Sequence, residues 1–205
     1  MELTIETVRT GWQQALDLFQ GGQAVRIATR HGISFDLPGL TVRLTNPSDL
    51  SAPEGYPYPE LIKDYRDRLF GNQRGRSLLF QRMRRWGGDE GEAFDQIGRI
   101  VDLLRRDPTS RSAVFSTWSP PSDLNAPFPV SPVGGAVRVV ADTLHLFVTA
   151  RSVDVWVGFV PELLAFAQLA SDLSQELGMR RSTVSYQCWS AHIYEVDLLS
   201  YLTRR

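Results

Sequence analysis

A chain of 205 residues that is 42% hydrophobic is too apolar for disorder and long enough to bury a core without a disulfide or metal staple. Its 22 basic and 23 acidic side chains leave a net charge of -1, which argues against general binding to nucleic acid or a membrane surface. The single cysteine, Cys188, excludes an intramolecular disulfide and a multi-cysteine metal site. With no apolar run of membrane-spanning length and no secretory-type start, the expected location is the cytoplasm.

Ile5 to Gln20 is expected to form an amphipathic helix, with Val8, Trp12, Ala15, Leu16 and Phe19 at helical spacing and Gly21-Gly22 as the stop. Ala24 to Asn46 alternates and carries turn signals at His31-Gly32, Pro38-Gly39 and Asn46-Pro47, which predicts two or three strands. Ser48 to Pro59 is a Pro-, Ser- and Gly-rich loop, and Pro59 to Phe70 a helix that starts at its proline. Asn72 to Gly91 is basic and Gly-rich without a firm period. Glu92 to Arg106 reads as a helix presenting Phe94, Ile97, Ile100, Val101 and Leu104, ended by Asp107-Pro108.

The second half turns to strand. Ser112 to Trp118, Gly135 to Ala141, Thr143 to Ala150, Val153 to Val157 and Thr183 to Trp189 are strand-like, with a turn at Ala141-Asp142-Thr143. Pro161 to Leu177 is a strongly apolar helix capped by Gly178, and Glu195 to Leu202 a short tail helix. No internal repeat is visible. The expectation is one α+β domain over residues 1–205, with a mixed or antiparallel sheet covered by helices.

Generic motifs carry little. Neither a dinucleotide-type nor a Walker-type glycine loop occurs, so Gly87-Gly88 and Gly134-Gly135 read as turns. His31, His145 and His192 lack metal-ligand spacing, and His145 reads as a satisfied core histidine. Cys188 reads as a buried strand residue. Only one basic side chain, Lys63, is lysine. Arg82, Arg84 and Arg85 near Trp86 read as a solvated face. Arg111 and Arg151 sit at the edges of apolar strands, where a guanidinium needs a partner. An anion such as phosphate suits their planar forks, and the alternative is a salt bridge to Asp107 or Asp154.

The ordered set of fragments resembles the thymidylate synthase family. Arg151-Ser-Val-Asp154-Val-Trp-Val-Gly158-Phe-Val-Pro-Glu162 is similar to that family's Arg-Ser-x-Asp-x-x-Leu-Gly-x-Pro-Phe-Asn. His192-Ile-Tyr194 matches its His-x-Tyr. Phe94-Asp-Gln-Ile97, Asp107-Pro-Thr-Ser-Arg111 and Ser116-Thr-Trp118 match Asp-Gln-Ile, Asp-Pro-x-Ser-Arg-Arg and Ser-x-Trp. Arg30-x-Gly32 is similar to an early Arg-Thr-Gly, and the likeness is clearest over residues 80–194.

The resemblance implies a thymidylate synthase-like fold, a homodimer formed through the sheet, and a site for a pyrimidine nucleoside 5′-monophosphate. On that analogy Arg151, Ser152 and Arg30 hold the phosphate, and Arg111 reaches the partner's phosphate across the dimer. His192 and Tyr194 hold the sugar, while Asp154, Gly158 and Glu162 lie at the base, Asp154 near the folate pterin as well. The implied cofactor is a reduced folate, and no metal is implied.

The departures bear on chemistry. At the spacing where the family carries its nucleophile in Pro-Pro-Cys-His, counting back from Arg151 without a gap lands on Ser131, followed by Pro132, and a further family Gln falls on Ala136. The family reaction needs a thiolate, and a serine hydroxyl is a far weaker nucleophile near pH 7. The family's base-reading Asn falls on Glu162, which either accepts from a cytosine amino group or is an exposed helix-start residue. The chain continues eleven residues past Tyr194, whereas family members run on into a segment that closes over folate, so a folate lid is not expected. Two readings follow. One is a divergent enzyme that binds a pyrimidine nucleotide and modifies its base by methyl or hydroxymethyl transfer or an altered chemistry. The other is a catalytically silent relative with a nucleotide-binding, regulatory or scaffolding role.

Overall fold

A seven-stranded sheet runs through most of the chain. The computed structural model describes residues 1–71, 77–87 and 93–204; positions 72–76 and 88–91 of the basic, Gly-rich stretch, and position 92 at the expected start of a helix, lie outside them. In chain order the elements are β1 (Glu2–Ile5), α1 (Val8–Asp17), a 3-10 turn (Leu18–Gln20), β2 (Val25–Thr29), β3 (Gly32–Leu44), α2 (Pro59–Phe70), α3 (Leu78–Arg84) and α4 (Gln96–Arg106). They continue with β4 (Val114–Ser116), α5 (Pro120–Asp123), β5 (Pro132–Val140), β6 (Thr143–Asp154), α6 (Phe159–Glu176), β7 (Arg181–Tyr194) and α7 (Glu195–Thr203).

The strand order is β1-β3-β7-β6-β5-β4, with β2 also paired to β3. β1–β3 and β6–β7 are parallel and the other pairs antiparallel, so the sheet is mixed and the α+β expectation holds. α6 packs on one face against β6 and β7, flanked by α1 and α2. It is apolar nearly all round, from Phe159 through Leu173, which suits a helix enclosed between a sheet and two further helices. On the opposite face Phe147 and Trp189 are 42% and 53% exposed.

Several boundaries differ from the sequence expectation, each for a local reason. The first helix starts at Val8 because Thr7 caps it, its side chain accepting from Thr10 N at 3.1 Å, while residues 2–5 pair with β3. The fourth helix starts at Gln96 because Asp95 accepts from Gly98 N at 2.9 Å. Phe94 is therefore not on its apolar face; it is half exposed and pairs with Trp86 through the backbone. Gly134 and Gly135 are not a turn but lie inside β5. His145 is not a core residue: it lies on the helix-free face, where Nδ1 bonds Thr183 Oγ1 at 2.9 Å. Arg82 is not solvated. It donates to Asp123 Oδ2 at 2.9 Å and Thr117 O at 2.7 Å, and lies 5.4 Å over the Trp86 ring.

The largest correction is a kink that crosses the sheet. Pro38-Gly39 is not a turn, because β3 continues through it with Gly39 at φ +68. Pairing skips from Pro38↔Ser190 to Leu40↔Cys188, and next door from Ala150↔Cys188 to Ser152↔Ser190. β5 shifts register against β6 between Pro132 and Gly134. The inside–outside alternation slips by one in the three long strands: Leu40, Cys188 and Ala150 are buried before the row, and Leu37, Ala191 and Val153 beyond it. β6 and β7 therefore run past the points, Ala150 and Trp189, where their alternation breaks.

Gly135 shows how tightly this region is built. A Cβ there would lie 2.1 Å from Phe147 O and 2.6 Å from Phe115 Cζ. Gly135→Ala is expected to destabilise the protein by roughly 1–3 kcal/mol, lowering its melting temperature by about 2–4 °C for each kcal/mol. Thermal unfolding followed by circular dichroism checks this, and an unchanged midpoint would contradict the packing.

Candidate functional site

Beyond the kink, the ends of β6 and β7 meet the β2–β3 hairpin around a cleft of about 680 Å³. Arg30, Arg151, Ser152, His192 and Tyr194 all line it. The slipped alternation lets the adjacent residues Arg151 and Ser152 both reach this cleft, which a regular strand forbids.

Arg151 does not form the salt bridge to Asp154. It donates from Nε to Val130 O at 3.1 Å, from Nη2 to Pro129 O at 2.9 Å and from Nη1 to Ser152 Oγ at 3.0 Å. The guanidinium therefore ties down the segment before β5 and keeps part of its donor fork for the cleft. Arg30 stands opposite on the hairpin turn, its Nε 2.9 Å from His31 Nε2. The His192 and Tyr194 rings lie edge to face with centroids 5.6 Å apart.

Asp154, Gly158 and Glu162 are not part of the cleft lining; they build the turn and helix behind it. Asp154 Oδ1 accepts from Trp156 N at 2.9 Å and Val157 N at 3.1 Å. Burial pushes this carboxyl above its ordinary range, against the opposing pull of the Val157 N–H and of His192. Gly158 N donates to Asp154 O at 2.7 Å, and a Cβ there would sit only 3.3 Å from that oxygen. Trp12 Nε1 donates to Val155 O at 2.9 Å, and Tyr56 Oη donates to Val157 O, so the turn is held from outside as well.

Glu162 is not an exposed helix-start residue; it is 3% exposed inside α6. Burial raises its pKa to about 8, and the nearby Tyr186 and Tyr65 hydroxyls and Arg151 offset part of that rise. None of Glu162 Oε1, Tyr65 Oη and Tyr186 Oη closes a hydrogen bond of good geometry. At neutral pH this carboxyl is mostly protonated.

Ser131 lines a neighbouring cleft of about 500 Å³ with Tyr65, Arg68 and the Phe128–Pro132 segment. Phe128 and Pro129 form the ridge between the two clefts, and Phe128 is 87% exposed. Ser131 Oγ donates to Ser152 O, which engages its proton with a carbonyl rather than a base. Cys188 is buried beneath the kink, and burial pushes its thiol up to about 12, so it supplies no thiolate near neutral pH. Arg111 is exposed beside β4 at the far edge of the sheet and does not line the cleft; Asp107, offered as its partner, accepts instead from Thr109 N at 3.0 Å.

The sequence reading missed Ser34, Asp36 and Ser190, which also line the cleft. Their signal was the polar alternation of Ser34 and Asp36 between Ile33, Phe35 and Leu37. Among the described residues no group of three or more His, Cys, Asp or Glu side chains could hold a metal, and no helix is long and apolar enough to cross a membrane.

Comparison with known proteins gives the family of the chain. The family model described as thymidylate synthase matches residues 71–203, more than half of the chain. A Methanopyrus kandleri protein named "Putative thymidylate synthase" is 28% identical over 200 residues, covering 94% of this chain and 92% of the relative. A Methanosarcina barkeri protein with the same name is 23% identical over 196 residues, covering 94% and 88%. A Haloferax volcanii "Thymidylate synthase" is 33% identical over 110 residues, covering 54% of this chain and 32% of the relative. With the matched stretch carrying β4 to β7 and the residues at their ends, the chain belongs to the thymidylate synthase family.

Proposed function

We propose that this member of the family binds a pyrimidine nucleoside 5′-monophosphate in the cleft at the ends of β6 and β7. The observation that carries the reading is the convergence of Arg30, Arg151 and Ser152 with His192 and Tyr194 on one cleft. Cationic forks and a hydroxyl suit the phosphate, and the His–Tyr pair suits sugar hydroxyls. Glu162, protonated near pH 7, offers both a donor and an acceptor, the same complement as the amide the family carries at that position.

The covalent step of the family is not open to this chain in its usual form. Ser131 lacks a base beside it among the described residues, and the one thiol is buried and un-ionised. This favours a second reading, a nucleotide-binding relative without the family reaction. A chemistry at the base that needs no thiolate is the remaining enzymatic form, and release of tritium from carbon 5 of labelled nucleotide distinguishes the two. For reduced folate, the residue the resemblance offered to the pterin is Asp154, whose Oδ1 is committed to the turn at Trp156 and Val157. That oxygen is left with little acceptor capacity for a pterin. A dimer through the helix-free sheet face, with exposed Phe147 and Trp189 at its centre and Arg111 serving the partner's cleft, completes the proposal.

Three measurements test it. Arg151→Ala is expected to weaken nucleotide binding by roughly 1.5–3 kcal/mol, the range for a charged hydrogen bond. Ser152→Ala, which spares the carbonyl contacts of Arg151, should cost a smaller amount, about 0.5–1.5 kcal/mol. Titration calorimetry returning wild-type affinity for both variants would remove the phosphate assignment. With 5-fluoro-dUMP or 5-fluoro-UMP and methylenetetrahydrofolate, intact-protein mass spectrometry should show no adduct on the wild type, and Ser131→Cys alone should restore little because Pro132 and Ala136 also differ. A wild-type adduct would show that another nucleophile has taken the role.

The third measurement is stability against pH. The folded-state pKa of Glu162, about 8, lies above its ordinary value of 4.5, so between these values the unfolded chain holds fewer protons. Its contribution is complete below about 4.5 and is lost as pH rises through about 8. Glu162→Gln cannot titrate and should gain on the wild type over that window. Parallel denaturation curves for the two proteins from pH 5 to 9 would refute the buried neutral carboxyl.

A further inference from the structure

One carboxylate in the cleft is unexplained by phosphate recognition. Asp36 on β3 pairs in register with His192 on β7, which pairs with Asp154 on β6. Ser34 pairs with Tyr194 and Pro38 with Ser190, so the polar residues of β3 and β7 share the cleft face. Asp36 Oδ2 accepts from Ser190 Oγ at 2.6 Å and Oδ1 from Ser34 Oγ at 3.2 Å. Among the described residues no cation lies within salt-bridge distance of it. Each oxygen is thus held by one serine and keeps acceptor capacity on a wall of a cleft otherwise furnished with arginines.

Such a group repels a phosphate and rewards a ligand only where the ligand presents donors. The donors nearest His192 and Tyr194 in the proposed binding mode are sugar hydroxyls. Two fixed carboxylate oxygens match a vicinal diol, and an acid is used in this way for ribose in dinucleotide-binding folds. We infer that Asp36, oriented by Ser34 and Ser190, is a specificity-determining residue that selects a ribonucleoside over a 2′-deoxyribonucleoside 5′-monophosphate. The inference rests on the nucleotide reading of the cleft and adds the sugar to it. A polar site left unpaired by the analogue that lacks the hydroxyl discriminates strongly.

The test is titration calorimetry with UMP, dUMP, CMP and dCMP on wild type, Asp36→Asn, Asp36→Ala and Ser190→Ala. The wild type is expected to prefer the ribonucleotide of each pair by about tenfold or more, the effect of one charged hydrogen bond. In Asp36→Ala the ratio should collapse toward one through loss of ribonucleotide affinity, with the deoxynucleotide bound as well as before or better. Asp36→Asn and Ser190→Ala should give intermediate ratios. Equal wild-type affinity for the two sugars overturns the inference while leaving the nucleotide reading intact, as does an unchanged ratio in all three variants. If Asp36→Ala does not fold, the wild-type ratio and Ser190→Ala decide alone. Failure of all four nucleotides to bind overturns both readings together.

Discussion

The site depends on the kink that runs across β3, β7, β6 and β5. A regular strand sends successive side chains to opposite faces, so a cleft fed by one strand collects only every second residue. Here the alternation slips at Gly39, Trp189 and Arg151, in one row across three strands, and β5 shifts beside them. Beyond that row Asp36, Ser152, Ser190 and His192 face the cleft while Leu37, Val153 and Ala191 still face the core. No one of these strands could slip alone without losing its ladder to its neighbours. The arrangement is therefore cooperative in the sheet and local in its effect, re-aiming polar side chains where the parallel pair β6–β7 ends.

The turn that follows β6 carries the second level of order. Asp154 caps it internally, and Trp12 and Tyr56 hold its carbonyls from the first part of the chain. Segments far apart in sequence thus fix where α6 begins and where Glu162 lies. Arg151 links this frame to the opposite wall, since its guanidinium binds the carbonyls of Pro129 and Val130. That wall carries Ser131 as well, whose hydroxyl is bonded to Ser152 O. One guanidinium thus both lines the cleft and holds the segment that carries Ser131.

Much of this was legible in the chain. α6 was evident from its unbroken apolar face, and the β5–β6 hairpin from Ala141-Asp142. The run from Arg151 to Glu162, with His192 and Tyr194, pointed to the ends of β6 and β7, where Arg151, Ser152, His192 and Tyr194 share one cleft while Asp154, Gly158 and Glu162 do not line it. The misreadings have one dominant source. β6 and β7 were cut short at Ala150 and Trp189 because period-two patterning fails where the alternation slips, and Pro38-Gly39 looks like a turn for the same reason. A slip is a property of neighbouring strands together, and one strand's sequence reports it only as an end. The burial of Glu162 and of the Arg82–Asp123 pair was equally hidden, since both depend on tertiary partners far away in sequence. Ser34 and Asp36 showed only as a polar alternation between Ile33, Phe35 and Leu37 and belong to none of the family-like fragments.

The slipped row has the character of a dislocation in a crystal. Such a line cannot stop inside the lattice; it must run out at a boundary. On one side it exits at the outer edge of β3, between the stretch paired to β2, which ends at Asp36, and the stretch paired to β1, which begins at Thr41. On the other it leaves through the irregularity in β5 between Pro132 and Gly134. The sheet is thereby two panels joined along a seam. A single-residue insertion or deletion in any one of the four strands cannot heal that seam, because its three neighbours would remain slipped. Indels are consequently expected to accumulate in the loops at either end of the panels, and the seam itself to behave as a unit that is inherited or lost whole.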